Sequence, residues 1–256
     1  MSKHFFSDLG VMLGRSMRHI FRSMDTIITV TIVPIMMMLL FVYVYGGAIK
    51  TSLGTNVNYV NYMLPGVLLM SIASGITYTA VRLFYDVQGG IFERFHSMPI
   101  TRSSMLWGHV LTSLVSNAIS VVVIILVAFL IGFRPSAGGL SWLAVAGILA
   151  LFTLALTWVA VIPGLTAKSA DGATAFAYPI IFLPFISSAF SSTATMPSAV
   201  RAFAENQPTS PIIETVRSLL NSEPVGNDIW ISLAWCLGIL IVAYVFAMLI
   251  YKRKAA

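Results

Sequence analysis

The feature that most restricts this chain is a set of six long apolar runs without a single charge. They cover residues 27–45, 63–81, 110–133, 142–165, 173–192 and 229–251, and none contains Asp, Glu, Lys or Arg. A run of about 20 apolar residues, rising about 1.5 Å per residue as a helix, crosses a hydrocarbon core of about 30 Å. Helix is the form required, because a lone strand in lipid leaves its backbone N–H and C=O groups unpaired. The alternating ten-residue segments of an outer-membrane barrel are missing from the sequence. Composition agrees, with 58% hydrophobic residues, 9% charged and a mean hydropathy of +0.90. A soluble domain carries about 25% charged residues, so a water-covered enzyme, a secreted disulfide scaffold and a disordered tail are all excluded. The expected fold is an all-α membrane protein, a single transmembrane domain over residues 1–256 with six transmembrane helices. Pro179 and Pro184 interrupt the fifth run, where a kink is expected.

Orientation follows from the basic residues. With the N-terminus inside, the cytoplasmic segments hold every Lys and Arg of the 15 except Lys50, Arg134, Arg201 and Arg217. That asymmetry obeys the positive-inside rule and predicts a multi-pass cell-membrane protein with both termini cytoplasmic. It also accounts for the net charge of +6 without nucleic acid, since no basic run is interleaved with aromatics. The first run is longer than the roughly 7–15-residue core of a signal peptide. Residues 4–24 form a different kind of element. At about 100° per residue, Phe6, Leu9, Leu13, Met17, Ile20 and Met24 share one side, while Asp8, Arg15, Arg18 and Arg22 share the other. An arginine-rich polar face opposite an apolar one suits an interfacial helix in the inner headgroup layer. Cys236, the only cysteine, lies inside the last run and reads as a small buried hydrophobe.

No catalytic machinery is visible. A phosphate-binding loop needs G-x-x-x-x-G-K-[ST], but Ile49 and Ala167 precede the two candidate lysines, Lys50 and Lys168. The histidines His4, His19, His96 and His109 are scattered, with no H-E-x-x-H and no cysteine pair, so no metal site is indicated. G-x-S-x-G is absent. The spans lack the midplane ionisable residue that ion-coupled carriers use, which argues against ion coupling, although backbone carbonyls remain open to Na⁺.

Three segments carry information. The inner loop 86–102 alternates charge with bulky apolar residues and then stops at Pro99. As a short helix, it would put Ile91 and Phe95 on one face with Glu93 and Arg94 polar. Such a face fits a groove on a partner protein; a solvated loop with its aromatics dipping into the membrane fits the composition equally. The outer loop 193–228 carries Ile212, Ile213, Val216, Leu219 and Leu220 at helical spacing between prolines. Short helices re-entering the outer leaflet, or a surface helix packed on the spans, both satisfy that pattern. In the second run Ser71, Gly75 and Thr79 form a small-xxx-small row for close helix approach. With Tyr78 and the fifth run's Phe182, Phe185 and Ser188, Ser71 and Gly75 are the candidate pathway residues: aromatic walls and hydroxyls suit an amphipathic cargo. Ordinary helix packing and lipid contact are the alternative for each.

The stretch D-x-x-x-G-x-x-x-R-F-x-S-x-P-I-T-R, built from Asp86, Gly90, Arg94, Phe95, Ser97, Pro99, Ile100, Thr101 and Arg102 and followed by Gly108, resembles the permeases of type 2 ABC exporters. The daunorubicin-resistance branch is the most similar. Asn206, Pro208, Thr209 and Arg217 match that family's outer loop; Glu93 stands where the branch often carries Asp, and Ser210 and Pro211 depart from it. The resemblance covers the whole chain. It implies an export permease with no ATPase of its own and no bound cofactor, ATP and Mg being held by a separate nucleotide-binding ATPase subunit. That subunit would dock on the coupling loop, through Asp86, Gly90, Ile91, Glu93, Arg94, Phe95, Pro99 and Arg102, and on the entry helix. It also implies pairing with a second permease copy or a sister permease, within membrane lipids, to move an amphipathic drug, lipid or glycolipid outward. The competing readings are a carrier outside the ABC class and a membrane anchor or sensor for an ATPase.

Overall fold

The computed structural model describes residues 24–47, 58–90 and 104–254. All regular structure among them is helical. Helix α1 (Met24–Leu40) runs on as a wider π turn over Phe41–Tyr45. Next come α2 (Tyr59–Gln88), α3 (Ser104–Leu130) and α4 (Gly139–Thr166). The fifth apolar run is broken into α5 (Ala170–Ala175), α6 (Ala177–Phe182) and a 3₁₀ turn over Leu183–Ile186. Beyond it, α7 (Ser198–Asn206) and α8 (Thr209–Asn221) precede the last long helix, α9 (Asp228–Lys254).

Four helices are long and apolar enough to cross a membrane, over Tyr59–Gln88, Leu106–Leu130, Gly139–Thr166 and Asp228–Arg253; two apolar pieces, Thr31–Tyr45 and Ala170–Ile186, are shorter. The reading of six full spans thus meets four long helices and two shorter segments among the described residues. The amphipathic element expected over 4–24 lies outside them, apart from Met24, where α1 begins.

Helices α2 and α4 form the centre, with most of their apolar windows buried, whereas only a minority of the windows of α3 and α9 is buried. The exposed residues include Leu126, Leu130, Val242 and Phe246. Apolar side chains turned outward along a helix this long face lipid rather than water.

Contacts at the two ends fix the direction of the helices. At one end Leu83, Leu106, Trp158, Leu165, Ala247 and Tyr251 pack together, which joins the ends of α2, α4 and α9 to the start of α3. At the other end Asn61 Nδ2 donates to the Arg134 carbonyl at 2.8 Å and its Oδ1 accepts from Arg134 N at 3.0 Å. Ser136 N donates to the Leu220 carbonyl at 3.1 Å. Helices α2, α4 and α9 therefore run one way and α3 runs back. The apolar positions of the long loop become the inner face of α8, with Ile212, Ile213 and Val216 fully buried.

Candidate functional site

The irregular stretch 183–190 is the most unusual element of the fold. Pro184 lacks an N–H and fixes its own φ, so the helix cannot continue regularly through it; the chain tightens into the 3₁₀ turn and leaves helical geometry at Ser187. Freed carbonyls in an apolar setting cost several kcal/mol each unless they find donors, and here five of them, those of Leu183, Pro184, Ile186, Ser188 and Phe190, have side-chain donors. Gln207, itself buried, donates through Nε2 to the Leu183 carbonyl at 3.1 Å and to the Ile186 carbonyl at 2.5 Å. Ser187 Oγ donates to the Pro184 carbonyl at 2.6 Å. Tyr59 Oη donates to the Phe190 carbonyl at 3.2 Å.

Arg217 holds the middle. From α8 its Nη2 donates to the Ser188 carbonyl at 2.6 Å, its Nε to the Tyr62 carbonyl at 3.0 Å, and its Nη1 to Glu214 Oε1 at 2.7 Å. The guanidinium also lies 3.8 Å from the centroid of the Tyr62 ring, in cation–π contact. One planar fork thus joins α8, the first turn of α2 and the broken segment, a task that a lysine's point charge performs poorly.

A second polar feature crosses the apolar core. Along α3, Ser113, Asn117 and Ser120 recur on one face and are all buried. Asn117 Nδ2 donates to the Ser113 carbonyl at 2.9 Å, Ser113 Oγ lies 3.1 Å from Thr157 Oγ1 of α4, and Thr31 Oγ1 of α1 donates to Ser120 Oγ at 3.2 Å. On α2, Gly75 faces this row: a Cβ there would stand 2.2 Å from Asn117 Oδ1. Ser71 Oγ and Asn117 Oδ1 have no hydrogen-bond partner among the described residues. With hydroxyls and one amide the row can bind helices together, but it holds no charge for an ion relay.

At the far end of α2, Asp86 Oδ2 accepts from His109 Nε2 of α3 at 3.0 Å. This contact pins the two helices that residues 91–103 connect. Gly90 closes α2 in the left-handed region, at φ +66°, where a Cβ is disfavoured.

The candidate coupling residues Asp86 and Gly90 therefore flank the end of α2, while Ile91, Glu93, Arg94, Phe95, Pro99 and Arg102 lie outside the described residues. Of the candidate pathway residues, Gly75 sits at the α2–α3 seam, Ser71 is fully buried on α2, and Tyr78 is half-buried one turn beyond Gly75. Phe182, Phe185 and Ser188 gather instead around the irregular segment. Phe185 packs between Phe182, at 5.9 Å between ring centroids, and Phe190, at 5.2 Å, and Phe190 stacks on Phe41 at 4.7 Å. The segment meets α2 at Gly66, where a Cβ would lie 2.5 Å from Ala189 Cβ. Sequence reading overlooked Gln207 and Asn117. The spacing Ser113-x₃-Asn117-x₂-Ser120 in an otherwise apolar run was the signal for the second; Gln207 lies beside the matched Asn206 and Pro208 but announces no role. Among the described residues no group of three His, Cys, Asp or Glu could hold a metal ion.

The family model of ABC-2 type transporters matches residues 7–221. The chain is 24% identical over 252 residues to the daunorubicin resistance ABC transporter permease protein DrrB1 of Streptomyces coeruleorubidus, covering 95% of this chain and 88% of that one. It is 25% identical over 238 residues to the probable doxorubicin resistance ABC transporter permease protein DrrC of Mycobacterium tuberculosis (strain H37Rv), covering 91% and 84% respectively.

Proposed function

This chain belongs to the ABC-2 type transporter family, and on that premise we propose that it is the permease subunit of an ATP-driven exporter. It moves an amphipathic drug, lipid or glycolipid outward, using a separate nucleotide-binding subunit. Two permease chains pair, each with six crossings and both termini in the cytoplasm; the short apolar segments Thr31–Tyr45 and Ala170–Ile186 complete the count. The relatives' names supply the drug class of cargo.

The observation that carries this reading is the continuity of α2. A single 30-residue helix runs from the coupling segment, where Asp86 ties it to α3, to the irregular segment, where Tyr59 and the Tyr62 carbonyl help hold the backbone. ATPase closure presses on residues 91–102; the Asp86–His109 contact makes α2 and α3 respond together, and the displacement reaches 183–190 at the exit. Irregular backbone is tolerated in a membrane where it lines a cavity or packs on protein, as an exit gate requires.

The test is gentle solubilisation of native membranes, capture of this chain, and identification of what copurifies in stoichiometric amount. One nucleotide-binding subunit per permease is expected, lost when Glu93 and Arg94 are both changed to glutamine. A clean preparation without an ATPase, from membranes in which other complexes survive, would return the chain to the carrier or anchor readings.

A further inference from the structure

Where α3 ends and α4 begins, the two helices leave an apolar groove of about 450 Å³ between them. Along α3 it runs from Val121 to Phe129, about 12 Å at the helical rise, most of half a hydrocarbon core of about 30 Å. Along α4 it runs from Trp142 to Leu149, and the indole nitrogen of Trp142 is the only side-chain polar atom among its lining residues. Val122, Leu126 and Ala146 are exposed on it, so the groove opens sideways into the membrane. No residue of 183–190 lines it.

A cation stands at its mouth. Arg134 follows α3, is exposed, and donates through Nη1 to the Phe129 and Phe133 carbonyls at 3.2 and 2.8 Å. Phe129 itself lines the groove, so these bonds hold the guanidinium near the open end. The other edge of the guanidinium, Nε and Nη2, has no hydrogen bond or ion pair among the described residues. That edge offers two parallel N–H groups, a fork that matches phosphate. Trp142 stands at the same end, its ring 6.5 Å from that of Phe133 and edge-on to it; indoles gather at the boundary between hydrocarbon and headgroups.

We infer that this groove holds an acyl chain of a resident phospholipid whose phosphodiester sits on the free edge of Arg134. A phospholipid joins in one molecule what the site asks for, an anion at headgroup depth and a stretch of plain hydrocarbon below it. Charge complementarity favours it over a transmembrane helix of a second copy, whose six apolar runs carry no acidic residue to meet Arg134. The orientation proposed above places this lipid in the outer leaflet; its binding does not depend on export.

The test is native mass spectrometry of the full chain, delipidated in mild detergent and titrated with dioleoylphosphatidylglycerol. One tight adduct per chain is expected. Dioleoylglycerol, with the same chains and no phosphate, binds on the order of tenfold more weakly, the scale of one charge-assisted contact. Arg134→Gln weakens the phospholipid adduct by a similar factor, and Arg134→Lys recovers part of the loss. Ala146→Trp, at an exposed position, fills the groove and abolishes the adduct with thermal unfolding unchanged. Adducts insensitive to both Arg134→Gln and Ala146→Trp overturn the site, and so does displacement by glycerol phosphate, which would make it a free-anion site. Weakening by Arg134→Gln without any effect of Ala146→Trp would leave a headgroup contact and remove the groove. If Ala146→Trp separates a dimer and leaves the adduct intact, a second copy fills the groove and the inference fails. Should Arg134→Gln not fold, Arg134→Lys and Ala146→Trp decide.

Discussion

Replacing Arg217 with alanine tests whether one guanidinium holds the broken segment to the rest of the fold. The side chain is 7% exposed and loses four interactions at once: two hydrogen bonds to backbone carbonyls, the Glu214 pair and the Tyr62 ring. Hydrogen bonds from a charged donor contribute about 1.5–3 kcal/mol each. The Glu214 pair adds less, because that carboxylate is 37% exposed and screened pairs contribute about 0–1 kcal/mol. The terms do not add fully, and the cost of leaving the Ser188 carbonyl without its donor dominates. A loss of about 3–5 kcal/mol is expected. At about 2–4 °C per kcal/mol for a chain of this size, thermal aggregation in detergent falls by roughly 6–20 °C. Arg217→Lys recovers only part of this, since an ammonium cannot fork to three acceptors on different elements. Glu214→Gln costs about 1 kcal/mol or less. If Arg217→Ala proves no more damaging than Glu214→Gln, Arg217 is a surface ion pair and 183–190 is held by something else.

Three further expectations concern local geometry. Gly75→Ala drives a methyl into Asn117 Oδ1 and costs about 1–3 kcal/mol by overpacking; adding Asn117→Ala relieves it, and a thermal-shift double-mutant cycle showing no coupling would exclude the contact. Gly90→Ala loses about 1–2 kcal/mol at a left-handed position, seen as lower transport at unchanged membrane insertion; full transport would mean that the turn tolerates another conformation. Asp86→Asn keeps an acceptor for His109 Nε2 and retains partial ATPase-coupled efflux, whereas Asp86→Leu abolishes it; equal efflux from the two variants would remove this contact from the coupling path.

Much of the fold was legible in the residues themselves. The uncharged runs mark α2, α3, α4 and α9 to within seven residues at each end, because hydropathy over 20 residues is a local property. Pro179 and Pro184 announce the break in the fifth run, and the spacing of Ile212, Ile213, Val216 and Leu220 announces the buried face of α8. Candidate site residues were harder. Ser71 and Gly75 can be picked out as small residues at helical spacing, but nothing local says that Gly75 meets Asn117. The sequence also contains four acidic residues over 193–228, without saying that Glu205 and Glu214 each meet an arginine.

By itself, then, the chain determines its solvent and its secondary structure. Apolar side chains must leave water, and a backbone in lipid must pair within its own helix. Tertiary structure alone decides where a helix can afford to break. Tyr59 and Phe190 are 131 residues apart, and Arg217 and Ser188 are 29 apart. The Ser188 and Phe190 carbonyls have donors only because these distant side chains arrive, whereas the Pro184 carbonyl takes its donor locally from Ser187.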